Sequence, residues 1–107
     1  MIFYNKVSDA LSDWIFKLGL QAAGWSTAAI ANTWLREEGL FNDLKMINVP
    51  TLILHGLNDQ VCLYPLAIAQ KNSIRNSILV SFESCGHFLF YDQREKFNRE
   101  LIQFMEA

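Results

Sequence analysis

The sequence has little of several features that mark specialised classes of protein. Its 2 cysteines, Cys62 and Cys85, are too few for a disulfide framework. We expect reduced thiols in a cytoplasmic protein, although a bond between the two stays open. Basic residues do not outnumber acidic ones, because the sequence has 9 lysines and arginines and 11 aspartates and glutamates. No apolar run approaches the roughly 18 residues of a membrane span, and the first residues lack the segments of a signal peptide. We therefore expect neither a nucleic acid nor a membrane as partner.

What the sequence does contain is typical of a globular protein. Of its 107 residues, 51% are hydrophobic and 19% are charged. A chain of this length can bury a core. No internal repeat, low-complexity segment or flexible linker interrupts it. We expect residues 1–107 to form one domain.

The chain is organised around a short apolar run in its middle. Thr51–Leu54 is opened by Pro50 and closed by Gly56, which predicts a strand buried on both faces. Proline is tolerated at the first residue of a strand, where its missing N–H does least harm. We expect Gly56 to allow a sharp turn at the carboxyl end, with Asp59 on the loop beyond it.

A second unit of the same shape follows. Ser77–Phe82 is another apolar run, and its exit loop ends at Gly86 and His87. The link between the runs contains a helix predicted from Pro65 to about residue 72. Two strands joined in this way are parallel, so that their exit loops open on the same edge. Asp59 and His87 are therefore expected to meet there, as the acid and base of a nucleophilic triad do.

These residues resemble the last part of an α/β-hydrolase. The resemblance rests on Pro50–Asp59, on Cys85–Tyr91 (Cys-Gly-His-Phe-Leu-Phe-Tyr) and on the terminal helix. It is strong from Met46 onward and weaker before it. Within the superfamily, the sequence is most similar to the cofactor-free haloperoxidase and serine-esterase group. The resemblance implies Asp59 as triad acid and His87 as triad base, small esters or acyl groups as substrates, perhydrolysis as a side reaction, and no metal or organic cofactor.

The resemblance also implies the fold class. This is α/β: a partial α/β-hydrolase fold with two parallel strands, at about residues 51–55 and 78–83, and helices around them. Residues 1–45 would form helices of the cap over the active site, and residues 46–107 the last two strands and helices. The family's first strands, oxyanion loop and nucleophile elbow have no counterpart in the sequence.

The nucleophile has only a weak candidate. Gly24–Ala28 imitates the elbow Gly-x-Ser-x-Gly around Ser26, but the elbow requires a preceding strand, whereas Leu18–Ala23 continues a helical pattern. Ser26 is better interpreted as a helix N-cap. We expect the chain alone to be inactive. A fragment, a truncated gene product and one chain of a split enzyme stay open as origins, and a non-enzymatic interaction module is the competing function.

Other site chemistries receive less support. His55 is interpreted as a structural histidine hydrogen-bonded at the strand end. Zinc would need His55, Asp59, Cys62, Cys85 and His87, whose types suit the metal but whose spacing matches no zinc motif. Cys85 as a nucleophile beside His87 would lack a second base and an oxyanion site.

Helical patterns cover most of the remaining sequence. Ser8–Leu18 has apolar side chains three and four residues apart, with Ser8 or Asn5 as N-cap. A second helix is expected from Ser26 to about Glu38. A single helical turn is expected at Asp43–Ile47. A last helix is expected to start at Asp92 as N-cap, with Glu95 completing a capping box. Its buried face would consist of Phe97, Leu101 and Phe104.

One edge of the first strand is expected to lack a neighbour. The family flanks Thr51–Leu54 on both sides, and here only the second strand is present. Such an apolar edge is a template for another strand, and two strands are too few to be stable uncovered. We therefore expect a homo-oligomer, most simply a two-fold dimer, or association with the missing N-terminal portion of the fold.

Overall fold

A computed structural model describes residues 2–36 and 39–107. It divides into two compact units: Val7–Leu40, and Phe41–Ala107 together with the residues up to Lys6. Among the described residues, no helix combines the length and apolar character needed to cross a membrane. The elements in chain order are α1 (Asp9–Leu20), α2 (Gly24–Arg36), α3 (Leu40–Leu44), β1 (Thr51–Gly56), α4 (Tyr64–Ser73), β2 (Ser77–Phe82), α5 (Leu89–Asp92) and α6 (Arg94–Glu106).

β1 and β2 form a parallel two-stranded sheet in the larger unit. Their register runs from Thr51 opposite Ser77 to Gly56 opposite Phe82. Helix α4 connects them, with Pro65 in its first turn. The predicted βαβ unit and its parallel strands are thus confirmed, with strand ends within one residue of those expected.

Helices cover both faces of this sheet. Because side chains alternate along a strand, Ile53 and Leu52 face opposite sides. Ile53 packs with Ala67 and Ile74 in the core beneath α4. Leu52 lies on the other side, where it and Phe104 of α6 line a groove of about 280 Å³. The sheet is therefore the middle layer between α4 and α6.

Burial of the strands is less complete than predicted. Ile53 is buried, but Leu52 and Leu54 are only half-buried. Ile78, on the α6 side of β2, is 57% exposed. The expectation of a first strand buried on both faces is wrong here, because α6 leaves part of that face open.

The predicted helices are present, but not all of their first residues were predicted correctly. The hydroxyl of Ser8 accepts the N–H of Leu11 at 3.1 Å, which confirms it as the N-cap of α1. Ser26, in contrast, lies in the first turn of α2 and is not its N-cap. The carbonyl of Ala23 already accepts the N–H of Thr27 at 3.1 Å, so the helical hydrogen bonds begin before Ser26. The predicted end at Glu38 lies outside the described residues.

The other helix boundaries also shift. α3 starts three residues before the predicted turn at Asp43, and hydrogen-bonded turns then continue to Ile47. The last helix is divided, with Gln93 between α5 and α6 and no side-chain cap on α6. Asp92 is therefore not an N-cap, because its carboxylate binds other groups. On α6, Phe97 and Phe104 are half-buried while Leu101 is 37% exposed.

Candidate active site

Asp59 lies in the loop after β1 and is 6% exposed. Its Oδ1 atom accepts the backbone N–H groups of Val61, at 2.8 Å, and Cys62, at 2.9 Å. An aspartate that binds backbone groups two and three residues ahead builds a tight local turn. The turn fixes the carboxylate and leaves its second oxygen, Oδ2, for other partners.

That second oxygen meets His87. The distance from Asp59 Oδ2 to His87 Nδ1 is 2.9 Å, which confirms the predicted proximity of the two side chains. The carboxylate is almost fully enclosed, whereas the imidazole is 33% exposed. An ionised carboxylate only accepts hydrogen bonds, so Nδ1 carries the donated proton. In the neutral ring Nε2 is then the basic nitrogen.

The environment keeps Asp59 ionised. Burial raises the pKa of the carboxyl group, but the hydrogen bonds from Cys62, His87 and Val61 favour the charged form more strongly. The pKa of Asp59 is therefore lowered from its ordinary value. At neutral pH it is a carboxylate, the form that orients a histidine and stabilises an imidazolium.

Backbone hydrogen bonds join the loops that carry the two residues. Leu57, just after β1, donates its N–H to the carbonyl of Phe82 at 2.9 Å. Asn58 donates its N–H to the carbonyl of Cys85 at 2.9 Å, and its side-chain oxygen accepts the N–H of Cys85 at 3.4 Å. An asparagine in a loop usually indicates only a turn, so the sequence around Asn58 contains no signal for this contact.

The chain turns at Gly56, at the carboxyl end of β1, as predicted: the N–H of Asp59 donates to the carbonyl oxygen of Gly56 at 3.3 Å. Gly56 has no positive φ, so close packing, and not the turn, is what requires a glycine here. A Cβ added here would overlap the carbonyl oxygen of Gly86 and lie 2.5 Å from that of Cys85. The left-handed turn residue of the second loop is instead Ser84, with φ 50°. The absence of a side chain at Gly56 lets the end of β1 touch the His87 loop.

His55 forms a hydrogen bond that connects the end of β1 to the Asp59 turn. Its Nε2 lies 2.7 Å from the carbonyl oxygen of Cys62. A carbonyl can only accept, so this nitrogen is a donor. It also lies 3.4 Å from Asp59 Oδ2. The predicted hydrogen bond at the strand end is confirmed, and its acceptor belongs to the Asp59 turn.

The cysteine and metal alternatives gain no support. Burial, the negative charge of Asp92 and that of Asp59 raise the pKa of the Cys85 thiol to about 11, despite the nearby Lys96. A neutral, fully buried thiol is a poor nucleophile. Cys62 and Cys85 are free thiols. Within residues 2–36 and 39–107, no cluster of three or more His, Cys, Asp or Glu side chains is arranged to hold a metal ion.

The local structure around Ser26 is also not that of a nucleophile elbow. Ser26 lies within α2, and the preceding element is helix α1. The nucleophile elbow requires a strand, a tight turn and a helix in that order. Ser26 is therefore not on an elbow.

Comparison with known proteins identifies the family. No family model matches the sequence. The chain is 41% identical over 107 residues to the AB hydrolase superfamily protein YisY of Bacillus subtilis, covering 98% of this chain and 39% of that relative. Its structure matches the esterase EaEST from Exiguobacterium antarcticum with a TM-score of 0.84 and 37% identity, covering 99% of this chain and 39% of the esterase. The chain belongs to the α/β-hydrolase superfamily.

This partial α/β hydrolase matches the C-terminal portion of its relatives, as predicted, and the predicted α/β fold class is confirmed. It is also 37% identical over 67 residues to a bifunctional esterase/perhydrolase of Acinetobacter calcoaceticus, covering 60% of this chain and 24% of that protein. The chain thus spans about two fifths of the length of the first two relatives.

Proposed function

We propose that this partial α/β hydrolase provides the acid and the base for serine-nucleophile hydrolysis of small esters or acyl groups. Asp59 is the acid and His87 is the base. The observation that supports this assignment is the 2.9 Å contact between Asp59 Oδ2 and His87 Nδ1, with the other carboxylate oxygen held by two backbone N–H groups. The carboxylate is ionised and the imidazole is partly exposed, as a base that must reach a substrate requires.

In the proposed reaction, Nε2 of His87 first accepts a proton and later returns it. Nε2 accepts the proton of a serine hydroxyl as its oxygen bonds to the ester carbonyl carbon. Asp59 stabilises the imidazolium that forms. The ring then returns the proton to the leaving alkoxide as the ester C–O bond breaks. A water molecule repeats the steps, releases the acid and regenerates the serine. The serine and the oxyanion donors belong to the remainder of a complete hydrolase fold.

Perhydrolysis is the side reaction that we propose for the same pair. Hydrogen peroxide would replace water as the acceptor of the acyl group, with His87 removing its proton. The Acinetobacter relative is named for both activities. No metal or organic cofactor enters either sequence of steps.

A chimera tests the proposal. The esterase EaEST, with the matching C-terminal portion replaced by this chain, should hydrolyse a small activated ester such as p-nitrophenyl acetate. His87→Ala and Asp59→Asn in the chimera should each lower kcat by about 10⁴-fold, because the proton acceptor or its correct tautomer is lost. Asp13→Asn, an exposed position on α1, is the matched control and should retain full activity. An active chimera whose rate survives His87→Ala would contradict the assignment.

The chain alone provides a second test. We expect it to hydrolyse the same ester no faster than its His87→Ala variant, because an acid and a base without a nucleophile and oxyanion donors stabilise little of the transition state. Turnover above that variant, and lost in Ser26→Ala, would show that Ser26 is a nucleophile.

A further inference from the structure

Asp92, at the end of α5, gathers three backbone N–H groups around one carboxylate. Its Oδ2 accepts from Tyr4 at 2.8 Å and from Gly86 at 2.9 Å. Its Oδ1 accepts from Asn5 at 2.9 Å. The side-chain amide of Asn5 donates in turn to the backbone carbonyl of Asp92 at 3.1 Å. Asp92 therefore joins the beginning of the chain to the residue before His87.

The same contacts hold the backbone on both sides of His87. Gly86 is bound through its N–H to Asp92. Phe88 donates its N–H to the carbonyl of Ile2 at 3.1 Å. The ring of Phe3 packs edge-on against Phe88 at a centroid distance of 5.1 Å. The peptide groups flanking His87 are thus both tied to residues 2–5 or to Asp92.

Gly86 is packed directly against that segment. A Cβ on Gly86 would lie 2.7 Å from the carbonyl oxygen of Ile2 and 3.1 Å from the nitrogen of Tyr4. These separations are below ordinary van der Waals contact, so the segment lies on the loop without intervening atoms. The position of the loop therefore depends on the segment, and the carboxylate of Asp92 fastens one to the other.

We propose that Asp92 is a positioning residue for His87: by binding the N–H groups of Gly86, Tyr4 and Asn5 together, it holds the His87 loop where the imidazole reaches Asp59. This inference rests on the proposed role of His87. A carboxylate is required, since both of its oxygens accept from N–H groups. Asparagine would place an NH₂ group against at least one of these donors.

Nuclear magnetic resonance of the whole chain tests the inference without any need for activity. The Nδ1–H proton of His87, donated to Asp59, is expected as a low-field proton resonance. In Asp92→Asn this resonance should disappear or exchange with water about ten- to a hundredfold faster, the effect expected when hydrogen bonds to a charged group are lost. Asp92→Glu keeps the carboxylate and should recover part of the protection. An unchanged resonance in a folded Asp92→Asn variant would overturn the inference.

A control separates positioning from general stability. Ala67→Gly weakens the same unit in the buried part of α4 and should leave the resonance in place. If it removes the resonance as Asp92→Asn does, the effect is global and the inference fails. Asp59→Asn must remove the resonance in every case. Loss in Asp59→Asn with retention in Asp92→Asn would reject the positioning role while leaving the proposed function intact.

The unsubstituted protein gives a test that does not depend on a folded variant. The amides of Tyr4, Asn5 and Gly86 share one acceptor group, so their hydrogen exchange should be slowed and should respond together to added urea. Exchange of Gly86 at the rate of an unprotected amide would overturn the inference, as would independent exchange of Gly86 and the two N-terminal amides.

Discussion

Replacing Gly56 with alanine tests the packing that brings the two loops together. The added Cβ would lie 2.5 Å from the carbonyl oxygen of Cys85 and 2.8 Å from its carbonyl carbon. Ordinary contact begins near 3.4 Å, so the peptide between Cys85 and Gly86 must retreat by about 1 Å. That peptide is held by the N–H of Asn58 at 2.9 Å. The clash therefore falls on backbone that cannot rotate away.

Two effects of the added methyl group destabilise the folded protein, and a third opposes them. Overpacking of this kind costs about 1–3 kcal/mol, and weakening the hydrogen bond from Asn58 to Cys85 costs about 0.5–1.5 kcal/mol. Alanine also restricts the unfolded chain, which returns about 0.4–1 kcal/mol. Since Gly56 has no positive φ, no conformational penalty is added. We expect Gly56→Ala to lower the free energy of unfolding by about 2 kcal/mol, the centre of a range of about 0.5–4 kcal/mol.

Urea denaturation of the whole chain measures this change. Gly19→Ala is the matched control, because a Cβ at Gly19 in α1 meets no atom within 4 Å. It should stabilise the protein by up to about 1 kcal/mol, the usual gain of alanine over glycine in a helix. The Nδ1–H resonance of His87 should weaken in Gly56→Ala and persist in Gly19→Ala. Equal stability of Gly56→Ala and the wild type, with an unchanged His87 resonance, would refute the close approach.

Two further predictions concern the whole chain. The pKa of Asp59 is lowered in the folded state, so its carboxylate stabilises the fold above the ordinary aspartate pKa of about 3.9, and this contribution is lost as the pH falls through the lowered value. The stability of Asp59→Asn should therefore decline less steeply than that of the wild type below about pH 4 in urea titrations, and equal slopes would contradict this. We also propose that β1 pairs with a second copy of the chain at the edge opposite β2, because no strand within residues 2–36 and 39–107 borders that edge and its backbone groups can accept a partner strand. Light scattering on dilute protein should give the mass of a dimer, and a stable monomer at micromolar concentration would exclude it.

Local signals in the sequence were sufficient for the βαβ unit and for the pairing of Asp59 with His87. Each strand is an apolar run with its own start and stop, and Pro65 indicates the first turn of the crossover helix. Parallel strands then place both exit loops on one edge. This topology predicts that the two loops lie at the same edge, whereas the 2.9 Å distance between the side chains also depends on the close packing of the loops at Gly56.

Contacts between distant residues were decided only by the tertiary structure. Asp92 has the sequence signal of an N-cap, but in the folded chain its carboxylate binds Tyr4, 88 positions away. Asn58 and Gly56 likewise look like ordinary turn residues, although one bonds to the His87 loop and the other makes room for it. A residue type reveals which hydrogen bonds a side chain is able to make. Which partner it receives depends on how the folded segments pack, and that is not encoded in any short stretch of sequence.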